Sequence, residues 1–181
     1  MSQSRKVLDN PSPCSPVGQI NGKLDVSKPP VRIMFIVPAV PVAQPRPRAV
    51  MAGKHARVHE LTHTKGRDGI SRPHPISAFK ATVAAEFQSA YHGPPLAGPI
   101  VLRITFVMPR PSSKIWKAKP MPREPYTVHK NDWDNLGKAV CDALNKIAWR
   151  DDGQIYKATV ERWVASGDEQ PHVAVEIVER L

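Results

Sequence analysis

The chain has 181 residues, enough for one domain with a hydrophobic core, and its 20 prolines indicate that part of it forms loops or tails. No apolar run is long enough to cross a bilayer, the N-terminus lacks the order of a signal peptide, and Cys14 and Cys141 suggest no disulfide framework, so we expect a cytoplasmic protein. Residues 1–131 hold 20 of the 26 Lys and Arg but 6 of the 16 Asp and Glu, which fits an enzyme that attracts a polyanion, although the net charge of +10 also serves solubility.

The N-terminal part of the chain predicts a tail, a strand and a long basic loop. Residues 1–30 are rich in proline and serine and predict a disordered leader, ahead of a folded domain over 31–181. The apolar, β-branched run 31–38 predicts a strand. The stretch 39–74 is rich in Pro, Arg, Lys and His and predicts a long loop, with a candidate hairpin near Gly53.

The middle of the chain predicts a helix, a strand and a second loop. Residues 75–91 carry apolar side chains at three- and four-residue spacing, which predicts a helix. These side chains are Ile76, Phe79, Val83 and Phe87. Residues 100–108 predict a strand, and residues 109–125 predict another basic, proline-rich loop.

A second helix, predicted over 133–147, has the clearest pattern in the chain, with one apolar and one polar face. The apolar face comprises Leu136, Ala139, Val140, Ala143, Leu144 and Ile147, and the polar face comprises Asp134, Lys138, Asp142 and Asn145. Two strands are predicted after it, over 156–165 and 172–178. The order β-α-β-α-β-β predicts an α/β or α+β fold in which helices pack on a small mixed β-sheet.

Four aspartates lie near the two ends of this second helix. Asp132 and Asp134 stand two residues apart at its start, where extended chain points both carboxylates to one side, although Asp134 as an N-cap is the simpler interpretation. Asp151 and Asp152 follow the helix, and Asp-Asp-Gly is also common in turns. Because such a helix is about 20 Å long, the two pairs meet only if the chain after Trp149 returns to the helix start, or if a second subunit supplies the other pair.

Carboxylate oxygens clustered in this way favour Mg²⁺ or Mn²⁺ over zinc. An ion held by carboxylates can activate water and neutralise charge on a phosphate. Lys138, one helical turn beyond Asp134, is suited to hold the phosphate or to stabilise the leaving oxygen, and the alternative is a surface ion pair with Asp134. The residues therefore indicate a candidate site for metal-dependent phosphodiester chemistry.

The chain resembles the RusA-type endonucleases over about residues 33–178, and most specifically over 130–155. The resemblance lies in Asp132-Trp133-Asp134-Asn135-Leu136-Gly137-Lys138-Ala139-Val140, in Asp142-Ala143-Leu144 and in Trp149-Arg150-Asp151-Asp152-Gly153-Gln154-Ile155. The earlier run Pro41-Val42-Ala43-Gln44-Pro45-Arg46-Pro47-Arg48 is similar to one branch of the family. The chain departs from the family in having Asn131 where many members have proline, in the bulky Trp133, and in a loosely matching loop over 53–74.

The resemblance implies roles for four residues of this segment. Asp132, Asp134 and Asp152 would be catalytic and hold Mg²⁺ or Mn²⁺, Lys138 would be the essential lysine, and Asp151 has a weaker claim. The family also implies a homodimer that resolves Holliday junctions and related branched DNA in recombination and repair, in a bacterial or phage-infected cell, often from a prophage. A junction with four arms needs two nicks, which suits two symmetry-related sites.

Basic side chains in the two predicted loops and before the second helix are expected to contact DNA. They are Arg46, Arg48, Lys54, Arg57, Lys114, Lys117, Lys119 and Lys130. Two other functions stay open: a less selective nuclease that cuts flaps, forks or replication intermediates, and a junction-binding protein that does not cut. The second is disfavoured because carboxylates repel phosphate and would serve a pure binder poorly.

Three further features have simpler interpretations than a catalytic one. His55, His59 and His63 recur every four residues and would align as a metal site on a helix, but a basic loop facing DNA is favoured. Trp116 lies among lysines and would either stack on an unpaired base or anchor its loop. Cys141 is interpreted as a small packing residue of the second helix.

Overall fold

The computed structural model of the protein describes residues 30–46, 48–52, 55–59, 63–65, 67–116, 119–127 and 131–180, with the backbone alone described at 48–52 and 55–59. The leader predicted over 1–30 therefore lies outside the described residues, apart from Pro30. The described chain contains nine strands and two helices. They are β1 (Val31–Val37), β2 (Arg48–Ala52), β3 (His55–His59), β4 (His63–Lys65), β5 (Ser71–Pro73), α1 (Pro75–Ala90), β6 (Ile100–Met108), β7 (Glu124–Pro125), α2 (Trp133–Leu144), β8 (Ile155–Val164) and β9 (His172–Glu179).

The central sheet is mixed and has five strands in the order β1-β9-β6-β8-β7. β6 and β8 run parallel, whereas β9 lies antiparallel to both β1 and β6. The register aligns Phe35 with Val175 and Val175 with Ile104, so that apolar side chains of three neighbouring strands share one face. This arrangement confirms the predicted α+β class with a small mixed sheet.

Both helices pack on that apolar face of the sheet. α1 begins at Pro75, where the missing amide proton costs no helical hydrogen bond, and Nδ1 of His74 accepts a 3.2 Å hydrogen bond from the backbone N–H of Ile76. The four apolar side chains predicted for this helix are all buried, and the Phe87 ring meets Phe35 of β1 edge to face. On α2 the apolar face is buried from Leu136 to Leu144.

In the ranges that the structure describes, no helix covers the opposite face of the sheet. Along β1, Met34 and Ile36 are 63% and 59% exposed, while the alternating Ile33, Phe35 and Val37 are buried against the helices. An open concavity of about 430 Å³ lies on this face between β1 and β8. We call this surface, centred on Met34, Ile36, Arg103, Thr159 and Ala174, the open sheet face.

The predicted elements agree with the structure except at the end of the second helix and within the two predicted loops, the second of which ends in the short strand β7. The second helix ends at Leu144 and not at Ile147, because Asn145 has extended backbone and Lys146 has a positive φ of 66°, which a helix cannot continue. Within the long loop predicted over 39–74, β2 and β3 form the hairpin expected near Gly53, and β4 pairs with β5. In the described part of the chain, neither helix is long and apolar enough to span a membrane.

Candidate active site

The start of α2 presents two carboxylates that are not used for capping. Asp132 is the N-cap residue, but its side chain makes no capping hydrogen bond. Asp134 lies in the first turn, so the interpretation of Asp134 as the N-cap is wrong, and the helix dipole favours its negative charge there. Asn131, just before the cap, has a φ of 66°, a conformation that proline cannot adopt.

Arg46, from the segment Gln44-Pro45-Arg46, reaches the N-cap residue of α2. Its Nη2 donates a 2.9 Å hydrogen bond to Oδ2 of Asp132, and both side chains are largely exposed. The segment is fixed to the helix by the backbone, since the N–H of Gln44 donates to the carbonyl of Asn135 at 2.9 Å. The structure therefore brings together one residue predicted to contact DNA and one predicted to hold a metal ion.

Strand β8 returns along α2 in the direction opposite to the helix. A Cβ added at Gly137 would lie 3.4 Å from the Val160 side chain, so this glycine lets the strand approach the helix closely. Two residues further on, Nη1 of Arg162 donates a 2.9 Å hydrogen bond to the carbonyl of Asn131. The chain after Trp149 thus does double back to the helix start, but Asp151 and Asp152 precede the returning strand and are not carried to the helix start with it.

Arg162 is a candidate functional residue that the sequence analysis missed. It lies over the Tyr126 ring at 5.6 Å, on the helix side of β8, and places a second cation beside the residues that precede α2. No motif contains it. The sequence offered one indication of its position. Side chains of a strand alternate between the two faces of a sheet, so Arg162 lies on the same face as Val160 and Val164.

The turn after α2 distinguishes the two neighbouring aspartates. Oδ1 of Asp151 accepts a 2.7 Å hydrogen bond from the N–H of Gly153, and Gln154 completes a capping box around this turn. Oδ1 of Asp152 instead accepts a 2.8 Å hydrogen bond from the indole N–H of Trp149, which is fully buried. Asp151 therefore has a structural role, whereas Asp152 is oriented by a rigid side chain from the core.

The position of Asp152 relative to α2 is reported by Cys141. Burial raises the pKa of the Cys141 thiol to about 11, the nearby carboxylates of Asp152 and Asp142 add to that rise, and the ammonium of Lys138 opposes it. Asp134, Lys138 and Cys141 lie at i, i+4 and i+7, on one face of the helix. Asp152 therefore lies toward the Cys141 end of α2, and its hydrogen bond to Trp149, which follows that helix, agrees with this position.

Lys138 is exposed and makes no ion pair with Asp134 or with any other residue in the ranges that the structure describes. The alternative of a surface pair with Asp134 is therefore not formed. Asp142, by contrast, is bound to Lys80 of α1 at 3.0 Å, and both side chains are half-buried. Lys138 is available to a ligand, and Asp142 belongs to the contact between the helices.

Among the described residues, no three side chains of His, Cys, Asp and Glu are grouped closely enough to hold a metal ion. The return of β8 carries Arg162, and not Asp152, to the helix start. The donor set nevertheless suits a hard divalent ion, because it consists of carboxylates, and among the described residues the Asp132 side chain is engaged by a single, exposed arginine. The roles of Asp132, Asp134, Asp152 and Lys138 stay predictions.

The residues predicted to contact DNA fall into three groups. Arg46 pairs with Asp132, Lys114 pairs with Glu124 at 2.9 Å, and Lys119 is exposed. Arg48 and Arg57 lie in the β2–β3 hairpin, of which only the backbone is described. Lys54, Lys117 and Lys130 lie outside the described residues. Their contacts with DNA stay predictions.

The histidine alternative is not supported by the local backbone. His55 and His59 lie on β3 and His63 on β4, so the helical face that would have aligned the three does not form. Trp116 is 43% exposed, and its backbone N–H donates to Sδ of Met121 within the same loop. Cys141 is half-buried against the core, in agreement with a packing role.

Comparison with known proteins identifies the family. The family model described as "Endodeoxyribonuclease RusA" matches residues 38–178. A protein of Bacillus subtilis (strain 168), described as "Uncharacterized protein YqaN", is 32% identical over 155 residues, which cover 81% of this chain and 96% of that protein. The family match includes Arg46, α2, the turn after it, and the strands β7 and β8 that precede and follow it, so it contains the whole candidate site.

Proposed function

This chain belongs to the RusA family of endodeoxyribonucleases, and we propose that it is a structure-selective nuclease that resolves Holliday junctions and related branched DNA. The proposal assigns this activity to a domain over residues 31–181, acting in the cytoplasm of a bacterial or phage-infected cell. The observation that carries it is the exposure of Asp132, Asp134 and Lys138 at the start of α2, where the Asp132 side chain makes no capping bond and Lys138 has no ion pair among the described residues.

The proposed metal ligands are Asp132, Asp134 and Asp152, and the ion is Mg²⁺ or Mn²⁺. A bound divalent ion would lower the pKa of a coordinated water and neutralise charge on the phosphate. The carboxylates at the start of α2 suit this role because their oxygens are the ligands that such ions prefer and make no capping hydrogen bond. A partner subunit is the proposed source of any further group that the site needs.

The remaining residues act on the phosphate directly. Lys138 points its ammonium from the second turn of α2 and would bind a non-bridging oxygen or the leaving oxygen of the scissile phosphate. Arg162 and the basic loops would hold the flanking backbone, since arginine binds phosphate with two parallel hydrogen bonds. The role of Trp149 is to orient Asp152 through its indole N–H.

We also propose that the nuclease is a homodimer formed through the open sheet face. Met34 and Ile36 are large apolar side chains exposed side by side with Ala174 and Thr159, and a contiguous apolar surface of this kind is usually buried by a partner. The same face carries Arg103 paired with Glu176 at 2.8 Å. Charges of both signs suit an isologous contact, in which the same patch meets itself.

Cleavage assays on three substrates test this function. A four-way junction, a flap and a linear duplex are incubated with Mg²⁺ and either the wild type or Asp132→Asn. The proposal expects paired nicks in the junction by the wild type, with cutting lost and junction binding kept in the variant. Linear duplex cut as fast as the junction would favour a less selective nuclease, and equal cutting by both proteins would refute the active site.

A further inference from the structure

The ion pair between Arg46 and Asp132 joins two residues that have different partners in the proposed reaction. Asp132 is a proposed ligand of a divalent cation, and Arg46 is a proposed ligand of DNA phosphate. In the structure each instead binds the other, through a 2.9 Å contact at the first residue of the metal motif. A guanidinium at this oxygen occupies a position where a cation would bind and supplies part of the charge that a cation would supply.

The backbone holds Arg46 at this place. Val42 and Ala43 pack against the hydrophobic core, and the N–H of Gln44 donates to the carbonyl of Asn135 in the first turn of α2. Arg46 follows two residues later, so its reach to Asp132 is set by a fixed segment and does not depend on chance contact of two free side chains. The contact itself is exposed, with 72% of the Arg46 side chain accessible, so exchange of partners is inexpensive.

We propose that Arg46 is a positioning residue that exchanges partners: it competes with the divalent ion for Asp132 in the free enzyme and moves to a DNA phosphate in the complex. Arginine binds a phosphate at least as well as it binds an exposed carboxylate, because the planar guanidinium matches the spacing of the phosphate oxygens. DNA that takes Arg46 away therefore uncovers Asp132, and DNA and ion bind cooperatively. By linkage, the ion in turn releases Arg46 for DNA.

A purely structural ion pair would give a different result from this exchange. If Arg46 only fixed its segment to α2, its removal would loosen Asp132 and weaken ion binding. If Arg46 competes with the ion, its removal strengthens ion binding to the free protein. The two roles predict changes of opposite sign in the same measured constant.

The test measures the dissociation constant for Mn²⁺ by titration calorimetry, without DNA, for the wild type, Arg46→Ala and Arg67→Ala. Arg67 lies in the same basic region, is exposed and has no ion pair among the described residues, so it controls for the loss of one positive charge. We expect Arg46→Ala to bind Mn²⁺ about two- to five-fold more tightly than the Arg67→Ala control, since exposed pairs are worth up to about 1 kcal/mol. The difference should shrink in high salt, which screens the pair.

The same variants are then titrated with a four-way junction in the absence of divalent ions. Arg46→Ala should bind more weakly and lose about one unit from the slope of log affinity against log salt, as expected for one phosphate contact. Mn²⁺ affinity of Arg46→Ala equal to or weaker than that of Arg67→Ala would overturn the exchange. This inference rests on the proposed function: a folded wild type that binds no Mn²⁺ would refute both, whereas normal binding with unchanged affinity in Arg46→Ala refutes the exchange alone.

Discussion

The indole N–H of Trp149 donates a 2.8 Å hydrogen bond to Oδ1 of Asp152, so that a fully buried side chain fixes a half-buried one. Trp149 has no accessible surface, so its ring cannot move without disturbing the core. The other oxygen of Asp152 makes no hydrogen bond or ion pair with the residues that the structure describes. The neighbouring Asp151 has no such bond and instead caps the turn through Gly153.

Trp149→Phe should therefore lower the cleavage rate more than it lowers the folded fraction. Loss of a hydrogen bond that orients a metal ligand typically reduces metal affinity or activity about 10- to 100-fold. The rate is measured under single turnover on a four-way junction, at a temperature where circular dichroism shows the variant fully folded. Tyr91→Phe is the control, since it removes one side-chain hydrogen bond, from the Tyr91 hydroxyl to the carbonyl of Pro94 at 3.1 Å, outside both the site and the open sheet face. Equal losses in the two variants would contradict the role of Trp149.

The thiol of Cys141 provides a pH-dependent probe of the charge on Asp152. In a Cys14→Ser background, alkylation should become half-maximal near pH 11, compared with about 9 for an ordinary cysteine, because burial and two carboxylates disfavour the thiolate. The sign follows from the charges: a thiolate forms only at higher pH where its surroundings are apolar and negative.

Asp152→Asn should lower that alkylation midpoint, because it removes a negative charge near the thiol. Asp151→Asn serves as the comparison, since Asp151 is not among the groups that shift Cys141. The same midpoint in Asp152→Asn as in Asp151→Asn would show that the Asp152 carboxylate does not lie near the thiol.

The open sheet face predicts how the proposed homodimer responds to an added charge. Ile36→Glu should convert it to a monomer, since a carboxylate would have to be buried at the centre of the contact. Light scattering coupled to size-exclusion chromatography measures the mass. Ile70→Glu is a matched control at a similar exposure, 56% against 59%, but away from this face. A dimer that persists in Ile36→Glu would place the subunit contact elsewhere.

The sequence predicted the fold well where side-chain periodicity determines structure. The buried residues of α1 and the bounds of β6 agree with the structure, because their apolar spacing reports burial directly. The end of α2 was predicted three residues too far along the chain. Ile147 continues the apolar spacing and does pack on the core, but it does so from a turn, after Lys146 has left helical backbone.

The sequence predicts which residues belong to the candidate site, but it does not predict the distances and contacts between them. Asp132, Asp134, Lys138 and Asp152 were identified from spacing and resemblance, which carry no information on distance between the helix ends. The pairing of Arg46 with Asp132 joins residues 86 positions apart, and the bond from Arg162 to Asn131 depends on the course of β8. Contacts of this range follow from tertiary packing and have no local signature.

Single-turnover cleavage of a four-way junction by neighbouring aspartate variants tests the proposed active site most directly. Three variants each remove one proposed ligand with little change in shape: Asp132→Asn, Asp134→Asn and Asp152→Asn. The control, Asp151→Asn, replaces one good capping residue with another. With Mg²⁺ or Mn²⁺ present, we expect the first three to cut at least about 100-fold more slowly than the wild type and Asp151→Asn to cut at nearly the wild-type rate. Wild-type cutting by Asp132→Asn or Asp152→Asn, or a loss confined to Asp151→Asn, would contradict the assignment.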